Sequence, residues 1–300
     1  MNLQPEHNID QPQKRAIRAA FEAAVAAYDG AAVVQREVAT RLQQRLPLFR
    51  IEPTTILDLG SGTGEGSLQL AAHYPRARIV ALDLAHGMAL RSGRRFTPWQ
   101  RWRRGHAAVS ADIERLPFAE KRFDLLYSNL SLQWCHNLQQ VAAEAARVLR
   151  PGGLFLFSTL GPETLYELRR SWAEVDAGIH VNHFIDLHDV GDAMIQGGLA
   201  QPVVDMELLT VTYQDVLTMM HDLKAVGAHN IHPQRRKSLT GAGKLKAMIR
   251  AYEQFRRADQ RLPLSYEVIY GHAWCGVEQG EPEPKRTFPL PVVAARDGCG

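Results

Sequence analysis

Three cysteines in 300 residues, Cys135, Cys275 and Cys299, are too few and too irregularly spaced for a disulfide framework or a metal-binding cluster. That scarcity points to a reducing, cytoplasmic setting. No run approaches the roughly 18 apolar residues of a membrane-spanning helix, so no membrane span is expected. The opening stretch MNLQPEHNIDQPQKR lacks the apolar segment of a secretory signal. Charge of one sign is scarce as well: a formal net charge of +3 is too small to argue for nucleic acid as partner. What remains, 45% hydrophobic and 22% charged residues, is the composition of an ordinary globular protein, long enough for one large domain or a domain with an elaborate cap.

A further absence concerns nucleotide motifs. The stretch ILDLGSGTGEGSLQL, residues 56–70, has the glycines of a nucleotide-binding turn but not the dinucleotide spacing G-x-G-x-x-G. Counted from Gly60 the third glycine falls on Glu65, and from Gly62 on Ser67. No Lys-Ser/Thr pair follows, which excludes a phosphate-cradling loop. The pattern present is D-x-G-x-G-x-G: Asp58, Gly60, Gly62 and Gly64. An acid two residues before the first glycine suits a ligand bearing a cationic amine rather than a second phosphate.

Around this turn, short apolar runs alternate with helical segments. The strands expected are 54–60, 78–83, 107–112, 123–129 and 153–160, the last preceded by a Pro-Gly-Gly turn. Continuous apolar strands separated by helices imply a parallel sheet covered on both faces. Before them, Ile17, Phe21, Ala24 and Tyr28 share one helical spacing and Val34, Val38 and Leu42 another, which predicts two N-terminal helices. After residue 160, helices near 163–172 and 187–197 precede a strand at 203–213. A mainly helical stretch with a basic loop at 229–238 and a last strand at 265–275 follow. The domain reading is a helical lid over 1–50 and an α/β domain over 51–275. Helical cap inserts fall at about 163–200 and 214–264, and residues 276–300, rich in Gly, Pro and Glu, read as a disordered tail.

Ligands of a doubly wound sheet bind at the carboxyl ends of its strands. Three acids stand there: Asp58 after the first strand, Asp83 after the second and Asp112 after the third. Asp83 is placed to accept two ribose hydroxyls, with Leu84 beside it. Asp112 is placed to accept an exocyclic amine, with Ile113 offering an apolar face. Asn129 closes the fourth strand. A glycine turn alone can simply turn a chain; together with three acids it describes a nucleoside with a cationic, amine-bearing side chain. The stretch 54–160 therefore resembles the class I S-adenosylmethionine methyltransferases. That resemblance implies a Rossmann-like, doubly wound, seven-stranded, mostly parallel sheet, with S-adenosylmethionine as methyl donor and no metal.

The second half narrows the resemblance. FSTLGPETLYELRRSWAEVD, HVNHFIDLHDVGDAMIQGGLAQPVVDMELLTVTY, DLKAVGAHN and SYEVIYGHAW, with the N-terminal FEAAVAAYDGAAVVQREVA, are similar to the malonyl-[acyl-carrier protein] O-methyltransferases of biotin synthesis. The similarity spans about residues 15–275. Glu22, Ala23 and Ser265 depart from the family's usual residues without touching the cofactor motifs. The resemblance implies methylation of the free carboxylate of a malonyl thioester, so that fatty-acid elongation enzymes accept the disguised chain and build a pimeloyl methyl ester. A carboxylate, with a pKa of about 4, is already ionised at neutral pH and needs no general base. Rival readings are a methyltransferase of a small free acid such as aconitate or of a quinone precursor, and a non-catalytic module binding S-adenosylmethionine or a carrier protein.

Under the same resemblance Tyr28 and Trp134 line the acceptor site together with Asn129. His180, Asn182 and His188, in a cluster that also holds His183 and Asp189, bind the malonyl carboxylate or thioester carbonyl. The cluster has no second half that would complete a metal site, and Asp186 alternatively caps a helix. Lys224 and Asn230 read either as a carboxylate clamp or as a solvated helix end. Last, RSGRRFTPWQRWRR carries Arg91, Arg94, Arg95, Arg101, Arg103 and Arg104 with Trp99 and Trp102 and no acid. It reads as a solvated loop or as a docking surface for an acidic acyl-carrier protein, and the sequence leaves carrier protein and coenzyme A undivided as thiol partner.

Overall fold

Ile56 and Leu57, or Ile79 and Val80, are neighbours in sequence yet bury on opposite faces of a sheet, which is why the strands read as unbroken apolar runs. The computed structural model describes residues 14–227 and 241–276. Its strands are β1 (Thr55–Leu59), β2 (Arg78–Asp83), β3 (Ala107–Ser110), β4 (Phe123–Ser128), β5 (Leu149–Leu160), β6 (Leu199–Tyr213) and β7 (Leu262–Cys275). They lie in the order β3-β2-β1-β4-β5-β7-β6. The first five run parallel, and β7 runs antiparallel to both β5 and β6. This is the seven-stranded, mostly parallel α/β sheet expected.

The helices are α1 (Lys14–Ala24), α2 (Tyr28–Ala31), α3 (Val33–Gln43), α4 (Glu65–His73), α5 (His86–Arg95), α6 (Leu138–Val148), α7 (Tyr166–Ala173), α8 (Leu187–Gln196), α9 (Val216–Ala225) and α10 (Ala242–Tyr252). α3 and α4 pack on one face through Val34, Val38, Leu42 and Leu70. α6 and α8 cover the other through Val141, Ala142, Ala145, Val190 and Met194. The first core continues past the sheet into α7, α9 and α10, so these three helices stand over the carboxyl ends of the central strands. Glu167 of α7 is buried and accepts hydrogen bonds from Ser265 N at 3.1 Å and Ser265 Oγ at 2.6 Å, fixing α7 to β7.

Several boundaries differ from the sequence reading. Three helices, not two, precede β1: the periodicity from Ile17 to Tyr28 is interrupted at residues 25–27, and Tyr28 starts a new one-turn helix instead of ending the first. Tertiary bonds override the periodicity there, because Arg91 Nη1 takes the carbonyl of Val25 at 2.9 Å. The Pro-Gly-Gly segment lies inside β5, which starts at Leu149 and carries an irregularity opposite Phe123 and Leu125. β3 stops at Ser110, so Asp112 sits beyond the strand in an isolated bridge with Arg115. α8 is a sheet-covering helix rather than part of a cap. Asn230, the basic loop and the tail after Gly276 lie outside the described residues. No helix among the described residues is long and apolar enough to cross a membrane.

Candidate cofactor and acceptor site

The glycine turn follows β1 and is pinned to the end of β2, where Gly60 N and Ser61 N both donate to Leu82 O, at 2.8 and 2.9 Å. Gly60 has φ +71°, and a Cβ there would lie 2.1 Å from Ser131 Oγ. Gly64 has φ +88°, and its Cβ would lie 2.5 Å from Ser92 Oγ. Neither position has room or backbone freedom for a side chain. Gly62, at φ +53°, faces the ring of Tyr28 instead; a Cβ there would lie 3.5 Å from the ring, in ordinary contact range.

The acids stand around this turn. Asp83 accepts Gly62 N through one carboxylate oxygen and Ala85 N through the other, at 2.9 and 2.8 Å. Each oxygen keeps a lone pair for a ribose hydroxyl. Burial raises its pKa to about 6. Asp58 is more deeply buried and accepts Ser67 Oγ; burial raises its pKa to about 7. Ser61 Oγ is buried without a partner on the wall of the same hollow. Asp112, Ile113, Leu84 and Asp83 line a second hollow that shares Tyr28, Gly60, Gly62 and Asn129 with the first. A string of carboxylates along a glycine turn, with spare acceptor capacity and one orphaned hydroxyl, fits a ribose, an exocyclic amine and a cationic amino-acid tail. S-adenosylmethionine has all three.

The N-terminal helices lie across these hollows and are latched at three points. Lys14 Nζ pairs with Asp112 at 2.7 Å and with Glu114. The carboxylate of Glu22 accepts Gly87 N in the first turn of α5. Asp29 receives Arg91 and Arg95, each at 2.7 Å, and the hydroxyl of Thr63. Burial opposes ionisation of Asp29, but Thr63 and the two guanidiniums outweigh it and hold its carboxyl below the usual range.

Beside the second hollow lies a cavity of about 280 Å³ under α7, α9 and the segment 179–184. Phe21, Tyr28, Leu130 and Trp134 line both, forming the seam between them. Phe21 and Trp134 meet edge to face at 5.3 Å. The seam carries no ionisable group of ordinary pKa: burial pushes the Tyr28 hydroxyl above its usual value, and Asp83 and Asp29 add to that. The cavity wall holds no Asp or Glu. His180 stands in it, stacked on Trp172 at 3.9 Å, with Nε2 2.7 Å from Asp176. Lys244 approaches the other oxygen of Asp176 at 2.6 Å. These two partners and Gly178 N keep the Asp176 carboxyl well below the usual range. Asn182 presents a buried, unpartnered Oδ1 on the same wall.

The structure thus brings together Tyr28, Trp134, His180 and Asn182 in one cavity, next to hollows lined by Asp58, Gly60, Gly62, Asp83, Leu84, Asp112 and Ile113. Gly64 backs the turn from behind. Two residues take other places. His188 is exposed in the first turn of α8 and pairs with Asp186, whose carboxylate caps that helix at 2.9 Å from His188 N, so the chain turns away from the cavity between Phe184 and Asp186. Asn129 lies on the hollow's wall, but its side chain is spent on the scaffold: Nδ2 donates to Gln35 O and Oδ1 accepts Ser158 Oγ, both at 2.9 Å. No metal-binding group of acids, histidines and cysteines occurs among the described residues.

Residues 57–157, which hold the glycine turn and all three acids, match a family model described as a methyltransferase domain. A malonyl-[acyl-carrier protein] O-methyltransferase of Gallionella capsiferriformans is 47% identical over 263 residues, covering 87% of this chain and 90% of that one. The chain belongs to the malonyl-[acyl-carrier protein] O-methyltransferase family. A biotin biosynthesis bifunctional protein, BioHC, of Saccharophagus degradans is 43% identical over 85% of this chain, which corresponds to 45% of that protein. Among solved structures, a putative methyltransferase of Bacillus halodurans is similar in fold, with a TM-score of 0.53 at 16% identity over 80% of this chain and 99% of that one.

In this family member, sequence reasoning missed Phe21, Lys14 and the Asp29 latch. Asp29 directly follows Tyr28 and carries no local signal of its partners, while Arg91 and Arg95, one helical turn apart, read as part of a solvated or docking run. Only the fold shows that both arginines pair with Asp29, which neutralises part of the charge of the run.

Proposed function

We propose that this enzyme transfers a methyl group from S-adenosylmethionine to the free carboxylate of a malonyl thioester carried by an acyl-carrier protein, giving the methyl ester that primes pimeloyl synthesis for biotin. The observation that carries this reading is the cavity that opens through an aromatic seam onto the cofactor hollow and has no acidic side chain in its wall. The names of the relatives support the substrate. Among the described residues Cys135 and Cys275 form no disulfide, which is consistent with a cytoplasmic setting.

When bound, S-adenosylmethionine supplies an electrophilic methyl group on a positive sulfur. The chain's own residues do the rest. Asp58, Asp83 and Asp112 hold the donor in register through the glycine turn. Phe21, Tyr28 and Trp134 exclude water from the seam and align the acceptor oxygen with the methyl group. The acceptor arrives ionised, so no residue must remove a proton, and the seam offers none that could near neutral pH. Asn182 Oδ1 is an acceptor looking for an N–H, which a pantetheine amide would supply. His180, held by Asp176 through Nε2 and stacked on Trp172, fixes the cavity wall beside the acceptor.

The topology argues against the arginine run as carrier-docking surface. Arg101, Arg103 and Arg104 belong to a short π-helix, Gln100–Arg104, that leads into the amino end of β3. The glycine turn lies at the carboxyl end of the parallel neighbours, and strands of five or six residues separate the two edges by about 17–20 Å. A carrier docked at the run would have to span that whole distance with its pantetheine arm to reach the seam. The test of the proposed function is methyl-labelled S-adenosylmethionine offered in parallel with malonyl-carrier protein, malonyl-coenzyme A, free malonate and aconitate. Label should pass to the malonyl thioesters. Efficient labelling of malonate or aconitate instead would move the assignment to a small-acid methyltransferase.

A further inference from the structure

The acceptor cavity must tell a free carboxylate from its methyl ester, and one side chain in its wall can do so. Lys224 stands in the last turn of α9 and lines the cavity. Among the described residues its ammonium has no hydrogen-bond or ion-pair partner. The other basic side chains nearby are committed. His180 and Lys244 share Asp176, Arg36 Nη1 donates to Asp29 O, and Arg169 donates to the carbonyls of Thr164 and Pro162. Nothing acidic in the cavity wall competes for the lysine.

Its position fits the site of transfer. Gly227, three residues further on, packs so tightly against the Phe21 ring that a Cβ there would lie 3.1 Å from it. Phe21 belongs to the seam, so the end of α9 reaches the place where the two hollows meet. α9 also packs on α2, the helix that starts with Tyr28. A four-carbon side chain from that helix end can bring its ammonium to an acceptor at the seam while its stem covers apolar wall.

We propose that Lys224 captures the free carboxylate of the acyl thioester and sets the enzyme's preference for the anion over its ester; this rests on the proposed function. The energetic consequence is specific. The carboxylate carries a full negative charge in the bound substrate, part of one as the bond to the methyl group forms, and none in the product. The ion pair is therefore strongest before the reaction and gone after it. It contributes to binding and to release of the neutral ester, and lends nothing to the chemical step. Placed at the outer end of a helix, the lysine also attracts an incoming anion in a salt-dependent way.

The experiment is steady-state kinetics of Lys224→Met and Lys224→Arg on malonyl-carrier protein, with S-adenosylmethionine affinity measured by calorimetry on the same preparations. Lys224→Met should raise KM for the malonyl thioester at least tenfold and flatten its dependence on salt. It should leave kcat within about threefold and donor affinity unchanged, and Lys224→Arg should restore most of the KM. Unchanged KM in Lys224→Met, or equal losses in kcat and donor affinity, overturns the proposal, the second result marking a structural helix-end lysine. A wild-type protein that binds the donor but methylates no malonyl thioester overturns the proposed function itself, and this inference with it.

Discussion

The donor half and the acceptor half of the site are built by opposite means. In the proposed reading the donor is held by backbone and by carboxylates at or just beyond the ends of neighbouring strands, all within residues 58–113. The acceptor cavity is assembled from side chains of α1, α2, α3, β5, α7, α9 and β7 and the loops between them, spread over residues 21–266 and mostly apolar. The first arrangement depends on main-chain shape, and changing one atom breaks it. The second depends on shape and one charge, and it should tolerate change gradually.

That contrast ranks the expected effects. The largest belongs to Gly60→Ala. Its Cβ would overlap Ser131 Oγ and its φ of +71° is strained for any other residue. A left-handed backbone alone costs about 1–2 kcal/mol before the clash is counted. Donor binding should vanish in calorimetry and the melting temperature should fall by several degrees, whereas a variant that binds normally would show that the turn has room the geometry denies.

Asp83→Ala comes next. Loss of a charge-assisted bond typically costs about 1.5–3 kcal/mol, and Asp83 offers two, so donor affinity should weaken by about two to four orders of magnitude. Unchanged affinity in a folded variant would remove Asp83 from the ribose site.

A smaller, pH-dependent effect belongs to Asp58. Burial raises its pKa to about 7, so the free protein carries this carboxyl largely protonated below that pH. A cationic donor tail favours the ionised form. Donor affinity should therefore rise with pH through about 7 and level off above it, with a proton released on binding at about pH 6.5. Calorimetry in two buffers of different ionisation enthalpy reads that release, and Asp58→Asn should remove the larger part of it, leaving the smaller share of Asp83, whose pKa is about 6. An affinity independent of pH between about 5.5 and 8 would separate Asp58 from the donor's charge.

The smallest effect should come from charge reversal of Arg101, Arg103 and Arg104. They lie at the edge of the sheet remote from the seam, so KM for malonyl-carrier protein should change less than about twofold. A rise confined to the carrier-bound substrate would restore the run as a docking surface.

The same contrast explains what could be read from the sequence. Glycines and acids at strand ends have fixed spacing because consecutive strands deliver them to one edge, and Asp58, Asp83 and Asp112 were legible for that reason. His188 misled because eight residues from His180 suffice to leave a cavity wall and cap a new helix. Asn129 sits where a ligand-facing residue was expected, but its amide ties α3 to β5. Arg91 and Arg95 looked like surface charge because their partner, Asp29, lies about sixty residues earlier, and no local pattern records such a pair. The strands were legible through their two-sided burial; the break at Val25–Ala27 was not, because tertiary bonds impose it on a sequence that keeps helical period.

Under the proposed function the site positions an acceptor that is already ionised and needs no base. The pH dependence of kcat at saturating donor and malonyl-carrier protein, in the wild type and in His180→Gln, tests that most directly. The expected wild-type profile is flat from about pH 6 to 9, well above the carboxylate's own pKa, and His180→Gln should keep that shape even if it lowers the plateau. A wild-type rate that falls below pH ~7 through a single ionisation, with that limb lost in His180→Gln, would make His180 a general base and contradict the claim.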